Sequence, residues 1–201
     1  MDLREASGIT DVGVDLDGVI YPFVEAFRIY YAGKVDGFDL PTPTNWYFYR
    51  DWGITDKQFA ELLDDASQSL SLFSMLPPEA GTADGWNLLK DIGVRIHVIT
   101  HRPPSSWAQT AEWLHLFNLI PDTLIFAKDK TVVSHFGGPG KVAMVEDYVV
   151  NHDNLLDAGV FAVLLDRPWN HGHPGVRVKS FADFAALVYD ASQRSTETIN
   201  E

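Results

Sequence analysis

The sequence predicts an α/β protein built on a parallel sheet with helices on both faces. Three observations carry this. Short β-branched apolar runs recur from Val12 to Leu165, each followed by a stretch with helical apolar spacing. Connections long enough to hold a helix make neighbouring strands parallel through right-handed crossovers. Finally, successive runs end in residues that carry chemistry, as the carboxyl edge of such a sheet requires.

The first run is Val12-Gly13-Val14, and Asp15-Leu16-Asp17-Gly18 ends it. Two carboxylates spaced i, i+2 with nothing basic between them repel, so a divalent cation or a shared proton is the natural way to hold both. Oxygen-only ligation points to Mg²⁺. Taken alone, the same four residues also describe a solvated turn.

Phe23, Phe27 and Tyr30/Tyr31 recur at helical spacing, which predicts a helix to about Ala32, and the Gly- and Pro-containing stretch 33–44 reads as a loop. Residues 45–52 hold five aromatics in eight positions. They serve packing between small helices, a stacking surface for a planar ligand, or both. A helix capped by Thr55 or Asp56 then runs through Phe59, Leu62, Leu63 and Ala66, and Pro77-Pro78 closes this section.

A helix over 83–92 leads through Gly93 into the strand Arg95–Ile99, which ends in Thr100-His101-Arg102. A hydroxyl and two potentially cationic side chains before a helix starting near Ser105 suit an anion, although Thr100 alone also reads as a turn cap. The helix 106–117 and the strand Leu124–Phe126 follow, ending in Ala127-Lys128-Asp129-Lys130. Either lysine can balance phosphate and carboxylate charge or simply be solvated.

Gly137-Gly138-Pro139-Gly140 lacks the Gly-x-x-x-x-Gly-Lys-Ser/Thr pattern and is assigned no chemistry. The strand Val142–Val145 stops at Glu146-Asp147, a helix covers 151–158, and Phe161–Leu165 is a fifth strand. Arg177 and Val178 add an edge strand, 181–189 a closing helix, and the polar tail from 191 is expected to fray. His171-Gly172-His173 has the spacing of a metal pair, yet no third ligand lies near it in sequence, so a flexible surface loop is expected.

Composition narrows the function. Of 201 residues 46% are apolar, enough for a proper core. A formal charge of −13 argues against a protein that grips long nucleic acid through phosphates, while a small anion remains compatible with a metal ion and a few placed cations. With no cysteine, thiol catalysis, disulfides and Cys-ligated zinc are excluded. Residues 1–10 lack the apolar core of a signal peptide and no run is long enough for a membrane span, so a cytoplasmic protein without membrane association is expected.

Asp15-Leu16-Asp17-Gly18-Val19, Ile99-Thr100, Asp129-Lys130-Thr131 and Glu146-Asp147 together resemble the four motifs of the haloacid dehalogenase-like (HAD) hydrolase superfamily over about residues 11–170. Within it the chain is most similar to the 5′(3′)-deoxyribonucleotidases, through 15–23, the string Asp129-Lys130-Thr131-Val132-Val133-Ser134 and the acidic pair.

The resemblance implies a three-layer Rossmann-like core over 1–19 and 78–201, with a small helical cap over 20–77 inserted after the first strand. It implies a Mg²⁺-dependent phosphomonoesterase for nucleoside monophosphates, with Asp15 as nucleophile and Asp17 as acid and base. Asp15, the main-chain carbonyl of Asp17 and Asp147 would hold Mg²⁺, with Glu146 behind them. Thr100, His101 and Lys130 would bind phosphate, and Phe23, Trp46 and Tyr47 would surround the base, with Tyr21 near the nucleophile.

A homodimer is a further expectation from the family. The chain departs from the family in its Glu-Asp pair, where Asp-Asp is frequent, and in Gln109, which stands about where a lysine is often found. A phosphatase for another small phosphate, such as a sugar phosphate, and a nucleotide-binding module without turnover are the alternatives. Intact Asp15 and Asp17 weigh against the latter.

Overall fold

The computed structural model describes residues 1–35, 40–68 and 72–197. Parts of the loop expected at 33–44, and the end of the polar tail, lie outside these residues. Six strands form one all-parallel sheet: β1 (Asp11–Val14), β2 (Arg95–Thr100), β3 (Thr123–Phe126), β4 (Val142–Glu146), β5 (Phe161–Leu165) and β6 (Val176–Val178). Their order is β3-β2-β1-β4-β5-β6. Strands β1, β4 and β5 are buried along their whole length, so they read as continuous apolar runs rather than as alternation.

The order reverses direction at β1. The chain moves outward to one side through β2 and β3, then returns to β1's other flank with β4. Loops leaving β1 and β4 at their carboxyl ends therefore diverge and open a crevice between them. Asp15 follows β1, and Glu146-Asp147 end β4.

Helices α1 (Phe23–Ala32), α2 (Phe48–Asp51) and α3 (Asp56–Gln68) lie between β1 and α4 (Thr82–Asp91). Thr55 and Gln58 cap α3 reciprocally: Thr55 N–H donates to Gln58 Oε1 at 2.9 Å, and Gln58 N–H to Thr55 Oγ1 at 3.3 Å. Phe27 is the hub of this segment. Its ring lies 5.0 Å from Phe59 and 6.1 Å from Trp52, and Phe48 packs on it edge-on at 6.0 Å.

The segment is tied to α5 (Trp107–Leu116), which a 3-10 turn over Pro104–Ser106 precedes. Gln109 Nε2 donates to the carbonyls of Ala66 and Ser67, Trp113 Nε1 to that of Leu76, and the Ser67 and Ser105 hydroxyls meet at 2.7 Å. Gln109 is thus an amide that fastens the carboxyl end of α3.

Two boundaries differ by two residues or more from the sequence expectation. Helix α6 (Val149–Asp157) starts two residues before Asn151. Helix α7 runs over Phe181–Glu197 rather than ending near Tyr189 in a frayed tail. The reason is burial: Ala191 is fully enclosed, and Arg194 donates to the carbonyls of Leu3 and Ala6, binding the helix to the amino terminus.

At the edge of the sheet remote from the crevice, Asp11 is fully buried. It accepts from Arg95 Nε and a terminal guanidinium nitrogen at 2.7 Å each, from His97 Nε2 at 2.8 Å and from Thr10 Oγ1 at 2.7 Å. Burial pushes its carboxyl up, but these hydrogen bonds outweigh burial and hold it below the ordinary 3.8. A carboxylate with a depressed folded pKa stabilises the fold above its unfolded value, and that contribution is lost as pH falls through the folded value. Asp11→Asn is therefore expected to lose about 2 kcal/mol near neutrality. It should also show a flatter decline of stability below pH 3.8 in urea titrations; an unchanged acid limb would refute the assignment.

Candidate functional site

The turn after β1 is tight because three N–H groups, those of Val19, Ile20 and Tyr21, converge on the Leu16 carbonyl. Gly18 completes it at φ +82°, in the left-handed region that favours glycine. A Cβ there would sit 1.9 Å from Asp147 Oδ2, so the glycine also admits the carboxylate arriving from β4. The pairing of β1 with β4 brings Asp147 to this turn, and the absence of a side chain at Gly18 leaves room for it.

Lys130 opens a 3-10 turn over Lys130–His135 and is 3% exposed, whereas Lys128 is exposed. The solvated reading thus fits Lys128, and Lys130 is the buried one. Its ammonium lies 2.7 Å from Asp15 Oδ1 and also donates to Glu146 Oε1. Glu146 is further satisfied by the N–H groups of Asp147 and Tyr148 and by Asn151 Nδ2, each at 3.0 Å.

Asp147 contrasts with it. Its Oδ1 is buried with no hydrogen-bond partner among the described residues. Three buried carboxylates, Asp15, Glu146 and Asp147, bring ligand atoms within 4.8 Å of one another around a single ammonium.

The electrostatics follow. Burial is the main cause that pushes the Asp15 carboxyl up to about 7, opposed by Lys130 and reinforced by Glu146 and Asp17. Burial, then Glu146 and Asp15, raise Asp147 well above the carboxylate range. Burial by itself lowers the Lys130 ammonium, but Asp15 and Glu146 outweigh it and hold it firmly protonated. An orphaned carboxylate oxygen in an all-oxygen set with an excess of negative charge fits a hard divalent cation such as Mg²⁺.

Asp17 stands apart from this trio. Its carboxylate receives Arg102 Nε at 3.0 Å on both oxygens and an Arg102 terminal nitrogen at 2.7 Å. The buried guanidinium also donates to the Phe73 carbonyl and Thr110 Oγ1, and is flanked by the rings of Tyr21 at 4.6 Å and Phe73 at 4.8 Å. The metal expectation at position 17 thus rests on its main-chain carbonyl. Arg102 was read in the sequence only as one of two cations after Thr100. Nothing local announced that it would turn onto Asp17, because the two are 85 residues apart.

Thr100 is fully buried, and its hydroxyl accepts the Arg102 N–H at 3.2 Å, which leaves the hydroxyl proton free to donate. His101 lines the cavity above the acidic cluster. That cavity has a charged floor of Asp15, Asp17, Lys130 and Asp147, and aromatic walls that include Phe23, Trp46, Tyr49 and Phe73. Tyr47 does not line it: it is 43% exposed, with the Arg50 guanidinium 4.2 Å over its ring.

The aromatic run 45–52 therefore divides its work. Phe48 and Trp52 pack on Phe27, whereas Trp46 stacks on Tyr148 at 4.0 Å and 18° and meets Trp169 edge-on at 6.4 Å. Trp169, unassigned from sequence, enters from the turn after β5 and donates Nε1 to the Asp147 carbonyl at 3.2 Å. His171 and His173 lie in the same turn. His171 is largely exposed, and His173 bonds Asp153 rather than standing free.

Comparison with known proteins gives the family and the fold. The family described as 5′ nucleotidase, deoxy (Pyrimidine), cytosolic type C protein matches residues 9–194. A Chlorobaculum tepidum protein named "Putative 5′(3′)-deoxyribonucleotidase" is 30% identical over 190 residues, covering 89% of this chain and 88% of its own. A HAD-superfamily hydrolase, subfamily IA, variant 1, from Geobacter sulfurreducens superposes with a TM-score of 0.64 at 20% identity, over 90% of this chain and 97% of the other. CbbY from Rhodobacter sphaeroides, solved with phosphate, gives 0.61 at 17% identity, over 88% and 96%. The two structures speak to the fold alone. Among the described residues no helix is long and apolar enough to cross a membrane. With residues 9–194 matched, the chain belongs to the type C 5′-nucleotidases, which makes it a phosphatase, and it carries the fold of the HAD hydrolases.

Proposed function

We propose that the protein is a Mg²⁺-dependent phosphomonoesterase that hydrolyses nucleoside monophosphates, deoxyribonucleotides foremost, through an aspartyl-phosphate. The observation that carries this reading is the pairing of Asp15 with Lys130 and Asp147 on the floor of an aromatic-walled cavity. The names of the matched family and of the Chlorobaculum relative support the substrate class. The family description also supports a cytosolic setting.

Asp15 attacks phosphorus in line, and Asp17, entering the step as the carboxylic acid, gives its proton to the leaving nucleoside oxygen and is left as the carboxylate. Asp17 then removes a proton from the water that cleaves the acyl phosphate. Lys130 and the Thr100 hydroxyl hold phosphoryl oxygens as their charge grows, with His101 at the rim. Asp15, the Asp17 carbonyl and Asp147 would hold Mg²⁺, with Glu146 behind them fixing Lys130, and the ion would offset the negative charge that otherwise repels a phosphate dianion.

Residues 20–77 would serve as the cap, and Phe23 and Trp46, which line the cavity, would stack on the base. Arg102 holds the Asp17 carboxylate at one orientation. It also links that carboxylate to the Phe73 carbonyl, on the segment by which the cap returns to the core.

Phosphate release from a panel of deoxy- and ribonucleoside 5′- and 3′-monophosphates and sugar phosphates tests the reading. Turnover of nucleotides is expected with Mg²⁺ and not with EDTA, and Asp15→Asn should lower kcat at least about 10³-fold. Turnover of sugar phosphates alone would overturn the substrate class, and activity retained by Asp15→Asn would overturn the mechanism. Arg102→Lys keeps the charge but not the planar fork, so kcat is expected to fall about tenfold or more with KM little changed. An unaltered kcat would remove Arg102 from the orientation of Asp17.

A further inference from the structure

The turn from β5 to β6 brings His173 against two consecutive residues of α6. Asp153 Oδ1 receives His152 Nδ1 at 2.9 Å and His173 Nε2 at 2.8 Å. The three side chains offer one ligand atom each within 4.8 Å. His171 takes no part, its Nε2 lying 3.6 Å from Asp166, and His173 instead meets two partners about twenty residues upstream. We propose that His152, Asp153 and His173 form a binding site for one divalent transition-metal ion, zinc by preference, separate from the acidic cluster around Asp15.

The donor set argues for this class of ion. Two imidazoles and one carboxylate suit zinc, nickel or cobalt, whereas Mg²⁺ favours the all-oxygen cluster. The geometry needs little change. Zinc takes its ligands at about 2.0–2.2 Å, which sets tetrahedral neighbours roughly 3.4 Å apart, so the two contacts of Asp153 with the imidazoles open by about half an ångström. Asp153 is half exposed and can give way by that amount while leaving a fourth position to water.

The two histidines are held for the purpose. Their ring centroids lie 5.4 Å apart with planes at 89°, so both nitrogens converge without the rings colliding. The His152 ring is buried against Gly175, where a Cβ would come within 2.8 Å of Nε2. That nitrogen has no hydrogen-bond partner among the described residues, and ligation through Nδ1 would place the ring's proton on it. His173 is anchored through its carbonyl by Arg177, whose own charge is paired with Asp166 at 3.0 Å.

A bound ion clips α6 to the turn that carries Trp169 and Asn170. Asn170 Nδ2 donates to the Asp147 carbonyl at 2.8 Å, so the clip braces the wall of the cavity from behind. Its effect is structural and does not depend on the reaction assigned above.

The test uses untagged full-length protein in excess Mg²⁺, titrated with Zn²⁺ against a chromophoric chelator and followed in parallel by thermal unfolding. One Zn²⁺ per chain and a Zn²⁺-dependent rise in Tm are expected. Asp153→Asn and His173→Gln, both at accessible side chains, should each weaken uptake at least about tenfold and abolish the rise, with circular dichroism showing the fold intact. Asp147→Asn should keep both. Absence of uptake by the unaltered protein, uptake that survives Asp153→Asn and His173→Gln, or uptake lost in Asp147→Asn would each overturn the site.

Discussion

The arrangement depends on one electrostatic constraint: Asp15, Glu146 and Asp147 are buried together around the single ammonium of Lys130. Water-poor surroundings make such an excess of like charge costly, and proteins relieve it by protonation or by binding a cation. Both signatures are present. Asp15 and Asp147 are pushed up by burial, and Asp147 keeps one oxygen without a partner. A fold optimised for stability alone would place no third carboxylate there, so the cluster reads as a site built to be completed by ligands.

Topology explains why the charges meet at this place. In the order β3-β2-β1-β4-β5-β6, the ends of β1 and β4 flank the reversal point, and the loops leaving them part to form a crevice. Full burial of both strands fixes their register, and with it the position of Asp15 relative to Glu146. Gly18 then removes the one Cβ that would separate Asp147 from the turn.

The helical segment between β1 and α4 adds a different kind of surface. Its core is an aromatic stack on Phe27, and Phe23, Phe48 and Phe59 of that stack also line the cavity, together with Trp46. Packing and cavity wall are drawn from one aromatic-rich stretch: Phe48 belongs to both, whereas Trp52 supports the wall through Phe27. Arg102 is the polar counterpart, joining Asp17 to the Phe73 carbonyl across the same boundary.

The sequence by itself determined the sheet, the helices and the four strand-end groups, because burial periodicity and strand-ending polar residues are local signals. Asp15, Thr100, Lys130 and Glu146-Asp147 were legible for that reason, and their spacing carried the family resemblance. What depended on contacts between distant residues was not legible. The sorting of residues 45–52 into packing and cavity needed the position of Phe27. The grip of Arg102 on Asp17 spans 85 residues, and α7 extends to Glu197 only because Arg194 finds the carbonyls of Leu3 and Ala6. The meeting of His173 with His152 and Asp153 likewise required the crossover from β5 to β6 to fold back on α6, a placement that no local pattern encodes.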